Sequence, residues 1–216
     1  MSASTGQPVT ARGRRTRAQL VAAAAEVFAE RRYLDTSIND IVARAGVAHG
    51  TFYRYFDSKE QVFREVALDL QQRLLTGGGE VDEERPPEFA DASEEVLWRI
   101  TRANRRYLTM YRQHAALMVV IEQVATFSTE LRAIRKETRT AFVDRACRAI
   151  ERLQARGLAH RDVDARYAAS ALGSMVDRFA YVAFVLDEPF DLDESARTLS
   201  LLWARSLGLD VPPRAD

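Results

Sequence analysis

Residues 46 to 59 read GVAHGTFYRYFDSK, and the segments on either side of this run decide what it is. Ahead of it, Ile38, Ile41, Val42 and Ala45 recur at helical spacing and stop at Gly46, a residue type that ends helices in a left-handed backbone. Behind it, Ser58 stands where a helix N-cap belongs, with Lys59 beside it and Gln61 three residues on to complete a capping box. Helix, tight turn, short helix and a further helix make the pattern of a helix-turn-helix. The short helix carries Thr51, Tyr53, Arg54 and Tyr55, side chains able to reach phosphates and base edges in a major groove.

Working outward, residues 17 to 32 read as an amphipathic helix with Leu20, Val21, Ala24, Val27 and Phe28 on one face. It is followed by Tyr33-Leu34-Asp35-Thr36-Ser37, where Thr36 or Ser37 caps the next helix and Asp40 lies three beyond Ser37. A plain three-helix core would share this periodicity; the order of the linked motifs is what favours DNA. Thr16 to Phe63 resembles the DNA-binding domain of the tetracycline-repressor (TetR) family of bacterial transcription regulators. The resemblance rests on Phe28-Ala29, Tyr33, Thr36-Ser37, the run Ile41 to Val47, the run Gly50 to Phe56, and Ser58-Lys59-Glu60. It departs at Arg32, where the family usually has Gly, and at Ala48 and His49, where it usually has Ser and then Lys or Arg. Ala48 lacks the capping oxygen that Ser would supply, and His49 is largely neutral at cellular pH.

Charge is distributed as a DNA-binding segment requires. The chain holds 31 basic and 31 acidic residues in all, but residues 1 to 64 hold ten Lys or Arg against six Asp or Glu, a net of +4. Arg12, Arg14, Arg15 and Arg17 form an arm and helix start suited to phosphates or the minor groove. Thr51 and Tyr53, with Ala48, His49 and Gly50 around them, are the expected contacts to bases or thymine methyls. Tyr55 and Lys59 are expected on phosphates, Thr36 and Ser37 at the start of the preceding helix, and Arg54 either joins the contacts or packs away. Phe52 and Phe56, four apart, are expected in the core against Phe28 and Ile41.

These readings divide the chain into a disordered arm over 1–12, a helix-turn-helix domain over 13–64 and a second all-helical domain over 65–211, giving an all-α fold. The run Gly77 to Asp91, rich in glycine, acidic residues and proline, reads as a mobile loop across about 76–92. Beyond it come a helix from Ser93 to about Arg112, an apolar segment from Ala115 to Val124, and a helix from about Ser128 to Arg156 ended by Gly157. Next is a helix from Ala165 to Leu186 capped by Asp162 or Asp164, then a last one capped by Asp193 and running through Leu207 to Gly208.

The order and length of these helices resemble the ligand-binding and dimerisation domain of the same family. The resemblance implies a homodimer through the last two helices, with Ala168, Ala171 and Leu172 allowing close approach and Leu199, Leu202 and Trp203 giving apolar area. A two-fold dimer would set two recognition helices one DNA turn apart, so the operator should be roughly palindromic double-stranded DNA. The resemblance also implies an effector pocket among the middle helices. Tyr107, Met110, Tyr111, Leu117, Met118, Ile121, Phe127, Phe142, Met175 and Phe179 are available to line it, with Glu122 and Arg178 for a polar end; such walls favour a bulky apolar small molecule.

Other classes find little support. His49, His114 and His160 are scattered, Cys147 stands alone, and no phosphate loop, metal-ligand spacing or nucleophile elbow occurs, so neither an enzyme nor a bound cofactor or metal is expected. No signal peptide or span of 18 apolar residues is present, and a cytoplasmic protein without a membrane partner is expected. The expectation is a regulator, most naturally a repressor, released from DNA by an effector. The alternative is a helical protein that binds a small molecule or protein partner and carries a vestigial helix-turn-helix.

Overall fold

The computed structural model describes residues 10–76 and 86–210, and among these every regular element is a helix. They are α1 (Ala11–Arg31), α2 (Ile38–Ala45), α3 (His49–Phe52), α4 (Lys59–Thr76), α5 (Ala92–Phe127), α6 (Thr129–Ala155), α7 (Ala165–Phe184) and α8 (Leu192–Ser206). The expected all-α fold is therefore observed. The expected arm lies for the most part outside the described residues, as does most of the expected mobile loop.

Contacts divide the chain into two compact units. The first takes Met1–Gln72 together with Ala116–Arg135, the second Arg73–Ala115 together with Lys136–Asp216. The segment 116–135 thus packs with the helix-turn-helix although it follows it by many residues. The chain leaves one unit for the other within α5, beside His114, whose φ of −121° and ψ of 18° break the helix geometry. Separate helices were expected here, and the break at His114 falls between them: no glycine or proline interrupts residues 92–127, yet two helices meet there across a kink.

In the first unit the caps follow the sequence closely. Ser37 is the N-cap of α2 and forms a reciprocal capping box with Asp40, and Gly46 ends the helix at φ 64°, returning its N–H to Ala43 and Val42 carbonyls. Thr36 does not cap; it is buried and its hydroxyl donates to the Arg32 carbonyl. At α4, Ser58 accepts from the Gln61 N–H and the Gln61 side chain accepts from the Asp57 N–H. Helix α1 starts earlier than the periodicity suggests, because Thr10 caps it by accepting from the Gly13 N–H. The apolar faces meet in one core, with Leu20, Phe28, Ile41, Phe52, Phe56 and Phe63 wholly buried. Each such side chain contributes roughly 1.5–3 kcal/mol of transfer free energy.

The second unit closes around Val96, Ile150, Ala169, Leu172, Ala204 and Leu207. In its interior the Asn104 amide donates to Ser200 Oγ at 2.9 Å. Asp164 caps α7 as one of the two candidates, but α8 is capped by Asp191, two residues before the expected Asp193. Gly208 sits at φ 72° against the His160 ring, which a Cβ there would strike. No helix among the described residues is long and apolar enough to cross a membrane.

Candidate nucleic-acid interface

Helix α3 is a single turn and cannot stand alone, since helices this short are not stable without tertiary support. Its support comes from below. Phe52 and Phe56 are fully buried with ring centroids 5.6 Å apart, and Tyr53 packs edge-on to Phe52 at 5.5 Å. With Phe52 held inward, His49, Gly50, Tyr53 and Arg54 are left exposed, while Thr51 and Tyr55 are half-buried. The His49 and Tyr53 rings lie 5.3 Å apart and make one partly apolar wall. Ala48 occupies the N-cap without a side-chain hydrogen bond, so the first N–H groups of α3 lack the cap a serine would give.

Two clusters fix this turn relative to its neighbours. Gln19 of α1 donates to the Ala45 carbonyl at 2.7 Å, closing off the end of α2. Arg44 on α2 pairs with Glu26 at 2.9 Å and Glu30 at 2.6 Å on α1. Hydrogen bonding to both carboxylates raises the guanidinium pKa, and the Arg44 bond is the main cause of a lowered Glu30 pKa. On the other side, the Tyr33 hydroxyl donates to Glu60 at 2.9 Å. Burial, then that carboxylate, drives the phenol pKa upward, so Tyr33 stays a donor.

The basic side chains sort into two groups. Lys59 Nζ donates to the Tyr33 and Thr36 carbonyls, both at 2.9 Å, and lies over the Tyr33 ring. Arg17 pairs with Glu65 at 2.9 Å and stacks over Phe56. Arg31 pairs with Asp40 and Arg64 with Glu130. These cations hold the fold, and for Lys59 and Arg17 this differs from the phosphate contacts expected of them: both reach an internal acceptor first. The guanidinium groups of Arg12, Arg14, Arg15, Arg32 and Arg54 have no partner among the described residues. Three of these sit in the first turns of α1, at the positive end of the helix dipole, where cations are disfavoured and an anion is welcome.

In the second unit the structure brings Tyr107 within 6.0 Å of both the Tyr111 and Phe142 rings, and its hydroxyl donates to Asp177 at 2.6 Å. Met110 and Tyr111 are buried, Met175 is half-buried, Phe179 packs at a tilt against Phe190, and Arg178 lies over the Tyr181 ring. The remaining expected pocket residues, Leu117, Met118, Ile121, Glu122 and Phe127, belong to the first unit. There Glu122 is paired with Arg135 at 2.7 Å, and Phe127 packs against Tyr33 with 6.4 Å between ring centroids. Of the residues expected at a dimer contact, Ala168, Leu172 and Leu199 are buried within the single chain, Trp203 is half-buried, and Ala171 and Leu202 are exposed. Tyr167, four residues before Ala171 and hence on the same face of α7, is exposed as well and was not anticipated.

Comparison with known proteins agrees with this arrangement. The family described as "Bacterial regulatory proteins, tetR family" matches residues 20–66, and the family "Transcriptional regulator EthR, C-terminal domain" matches residues 100–207. The HTH-type transcriptional regulator EthR of Mycobacterium tuberculosis is 26% identical over 170 residues, covering 79% of this chain and 76% of that protein. The HTH-type transcriptional repressor DhaR of a Mycobacterium species is 42% identical over 62 residues, 27% of this chain and 31% of its own. The transcriptional regulator FadR of Bacillus subtilis, solved in complex with stearoyl-CoA, shares the fold with a TM-score of 0.68 at 20% identity, over 87% of this chain and 97% of that one. One family thus accounts for the helix-turn-helix and the other for half of the whole chain, downstream of it, and the protein is a DNA-binding transcriptional regulator of the TetR family.

Proposed function

We propose that the protein is a repressor: a homodimer holds a roughly palindromic double-stranded operator and leaves it when a bulky, largely apolar small molecule binds the second unit. The observation that carries the DNA half is the sorting of charge. Lys59, Arg17, Arg31, Arg44 and Arg64 have internal partners, while Arg12, Arg14, Arg15, Arg32 and Arg54 have none among the described residues, and the recognition turn exposes His49 and Tyr53. Free guanidinium groups bind phosphate by releasing counterions, and exposed rings and hydroxyls read bases. A vestigial helix-turn-helix is not favoured, since it would have no use for unpaired cations at the positive end of a helix.

The dimer is supported by apolar surface on the last two helices. Tyr167 is 80% and Leu202 45% exposed, with Ala171 on the same face of α7 as Tyr167. The effector is supported by the aromatic group of Tyr107, Tyr111 and Phe142, with the Tyr107–Asp177 hydrogen bond beside it. The relative with bound stearoyl-CoA makes long acyl chains the first class to try. Binding energy that differs between the DNA-bound and free shapes is what would release the operator.

DNase footprinting on the DNA beside the gene, followed by addition of acyl-CoA thioesters and other apolar molecules, tests this reading. A protected palindrome that reopens with one of them is expected. Protection without dyad symmetry would count against the homodimer, and protection that no ligand class relieves would count against the effector.

A further inference from the structure

The aromatic group of the second unit has charged neighbours that no carboxylate answers. Arg106 immediately precedes Tyr107 on α5, is half-buried, and has no hydrogen bond, ion pair or ring contact among the described residues. The other described arginines of this unit either have such partners, as Arg105 has Asp193 and Arg166 has Asp144, or are exposed, as Arg112, Arg148 and Arg152 are. Arg145 approaches from α6. Its guanidinium lies 5.0 Å over the Phe142 ring, and one N–H donates to the Leu75 carbonyl at 3.0 Å. Phe142 in turn meets Tyr107 edge-on with 6.0 Å between ring centroids. Desolvation first, and the charge of Arg106 second, hold the Arg145 pKa below its ordinary value, so the two cations are close enough to repel. Like charges held together in partly desolvated surroundings are unfavourable until an anion joins them. Arginine has five N–H donors, and the Leu75 carbonyl engages one of those on Arg145.

We propose that Arg106 and Arg145 form an anion subsite beside the aromatic group, so that the effector is an apolar body ending in a carboxylate or phosphate. The inference rests on the effector reading given above and adds the chemistry of the polar end. Its orientation follows from the contacts. Arg145 stands on the Phe142 side of the group, whereas the Asp177 carboxylate accepts from the Tyr107 hydroxyl. An anion is drawn to the first place and repelled from the second. The apolar body then lies along Phe142, Tyr107 and Tyr111, which are packed in series with 6.0 Å between successive centroids. A neutral ligand would leave the two guanidinium groups repelling each other, and a cationic one would add a third like charge. Guanidinium groups hold carboxylate and phosphate alike, by paired N–H donors in a planar fork. The shared feature is therefore the anionic oxygen pair rather than the acid that carries it.

Isothermal titration calorimetry of the full chain with decanoate, decyl phosphate and decanol, which share one apolar chain and differ in charge, tests the subsite. At least one of the anions is expected to bind about tenfold more tightly than the alcohol, with the advantage shrinking as salt is raised. The tighter of the two names the head group. Arg106→Gln should bring the anions down towards the affinity of the alcohol. It should also hold or raise the melting temperature of the free chain, because it removes a repulsion and no hydrogen bond. Arg106→Lys, which keeps the charge, should retain part of the advantage, and Arg145→Gln should lose it together with the Leu75 bond. Equal binding of anions and alcohol, or an anion preference that Arg106→Gln does not alter, would overturn the subsite and leave a neutral apolar effector standing. Binding of none of the three would overturn the subsite and count against the effector pocket with it. Arginine-dependent binding that leaves the protein on its operator would instead uphold the subsite and overturn the effector reading.

Discussion

At the scale of single residues, the backbone of Arg32 and the ammonium of Lys59 make the sharpest predictions. Arg32 adopts φ 66° and ψ 170°, a backbone state open without strain only to glycine. Strain of this kind costs about 1–3 kcal/mol, so Arg32→Gly should raise the melting temperature by a few degrees in a thermal scan, and no change would mean the loop relaxes around the arginine. Lys59 shows why similar side chains need not share a role. Its ammonium is spent on the Tyr33 and Thr36 carbonyls, whereas Arg14 has no partner among the described residues. Arg14→Ala should lower the salt slope of DNA binding by about one, with little effect on stability. Lys59→Ala should do the reverse, lowering the melting temperature and leaving the slope almost unchanged. The role of Lys59 was not legible in the sequence, because its acceptors are main-chain oxygens more than 20 residues away, brought close only by folding. The Arg17 ion pair was not legible for the same reason, its partner Glu65 lying on another helix. The exposure of Tyr53 and His49, by contrast, follows from one legible fact, that Phe52 and Phe56 must face inward.

At the scale of elements, the turn α3 is as stable as the core residue that anchors it. Phe52→Ala should cost about 3–5 kcal/mol, and limited proteolysis should then cut first near residues 46–58, since that is where support is lost. Uniform unfolding of the whole chain would show instead that the turn is not a local unit. Helix α2 carries a pH dependence of known sign. The Ser37 hydroxyl, then the Ser37 N–H, with Arg31 adding to them, hold the Asp40 carboxyl below its ordinary range. A depressed folded pKa contributes stability that is complete above the unfolded value of about 3.9 and is lost as pH falls through the folded value. Asp40→Asn should therefore flatten the loss of stability below about pH 4 in an acid titration followed by circular dichroism; an unchanged slope would assign it to Glu30 and Glu60, whose pKa values are also lowered. Elements with a chemical stop were legible: Gly46, Gly157 and Asp164 mark boundaries that the structure keeps. The break at His114 also falls between two expected segments, but the passage into a different unit there was not legible, because nothing in the local sequence says which helices the second half packs against. Asp191 was passed over for Asp193 because both precede the same apolar run, and only the backbone decides which one flanks the first turn.

At the scale of the whole molecule, a chain with no net charge binds DNA only if its charge is divided, and the division here is made twice. The first 64 residues carry an excess of four positive charges. Within the DNA-binding unit, pairing then removes the structural cations from the reckoning and leaves Arg12, Arg14, Arg15 and Arg54 to the phosphates. The first division could be counted in the sequence, while the second needed the structure. Helix α5 carries Tyr107 and Tyr111 before its bend and Phe127 after it, so a single element contributes to both units. The central claim, that this charge and this recognition turn grip a specific DNA, is tested most directly by fluorescence anisotropy. The purified protein is titrated into DNA flanking its own gene at two salt concentrations, with unrelated DNA as competitor. The account predicts tight binding that survives the competitor and weakens steeply with salt. Weak binding, equal for both DNAs and similar at both salt concentrations, would contradict it.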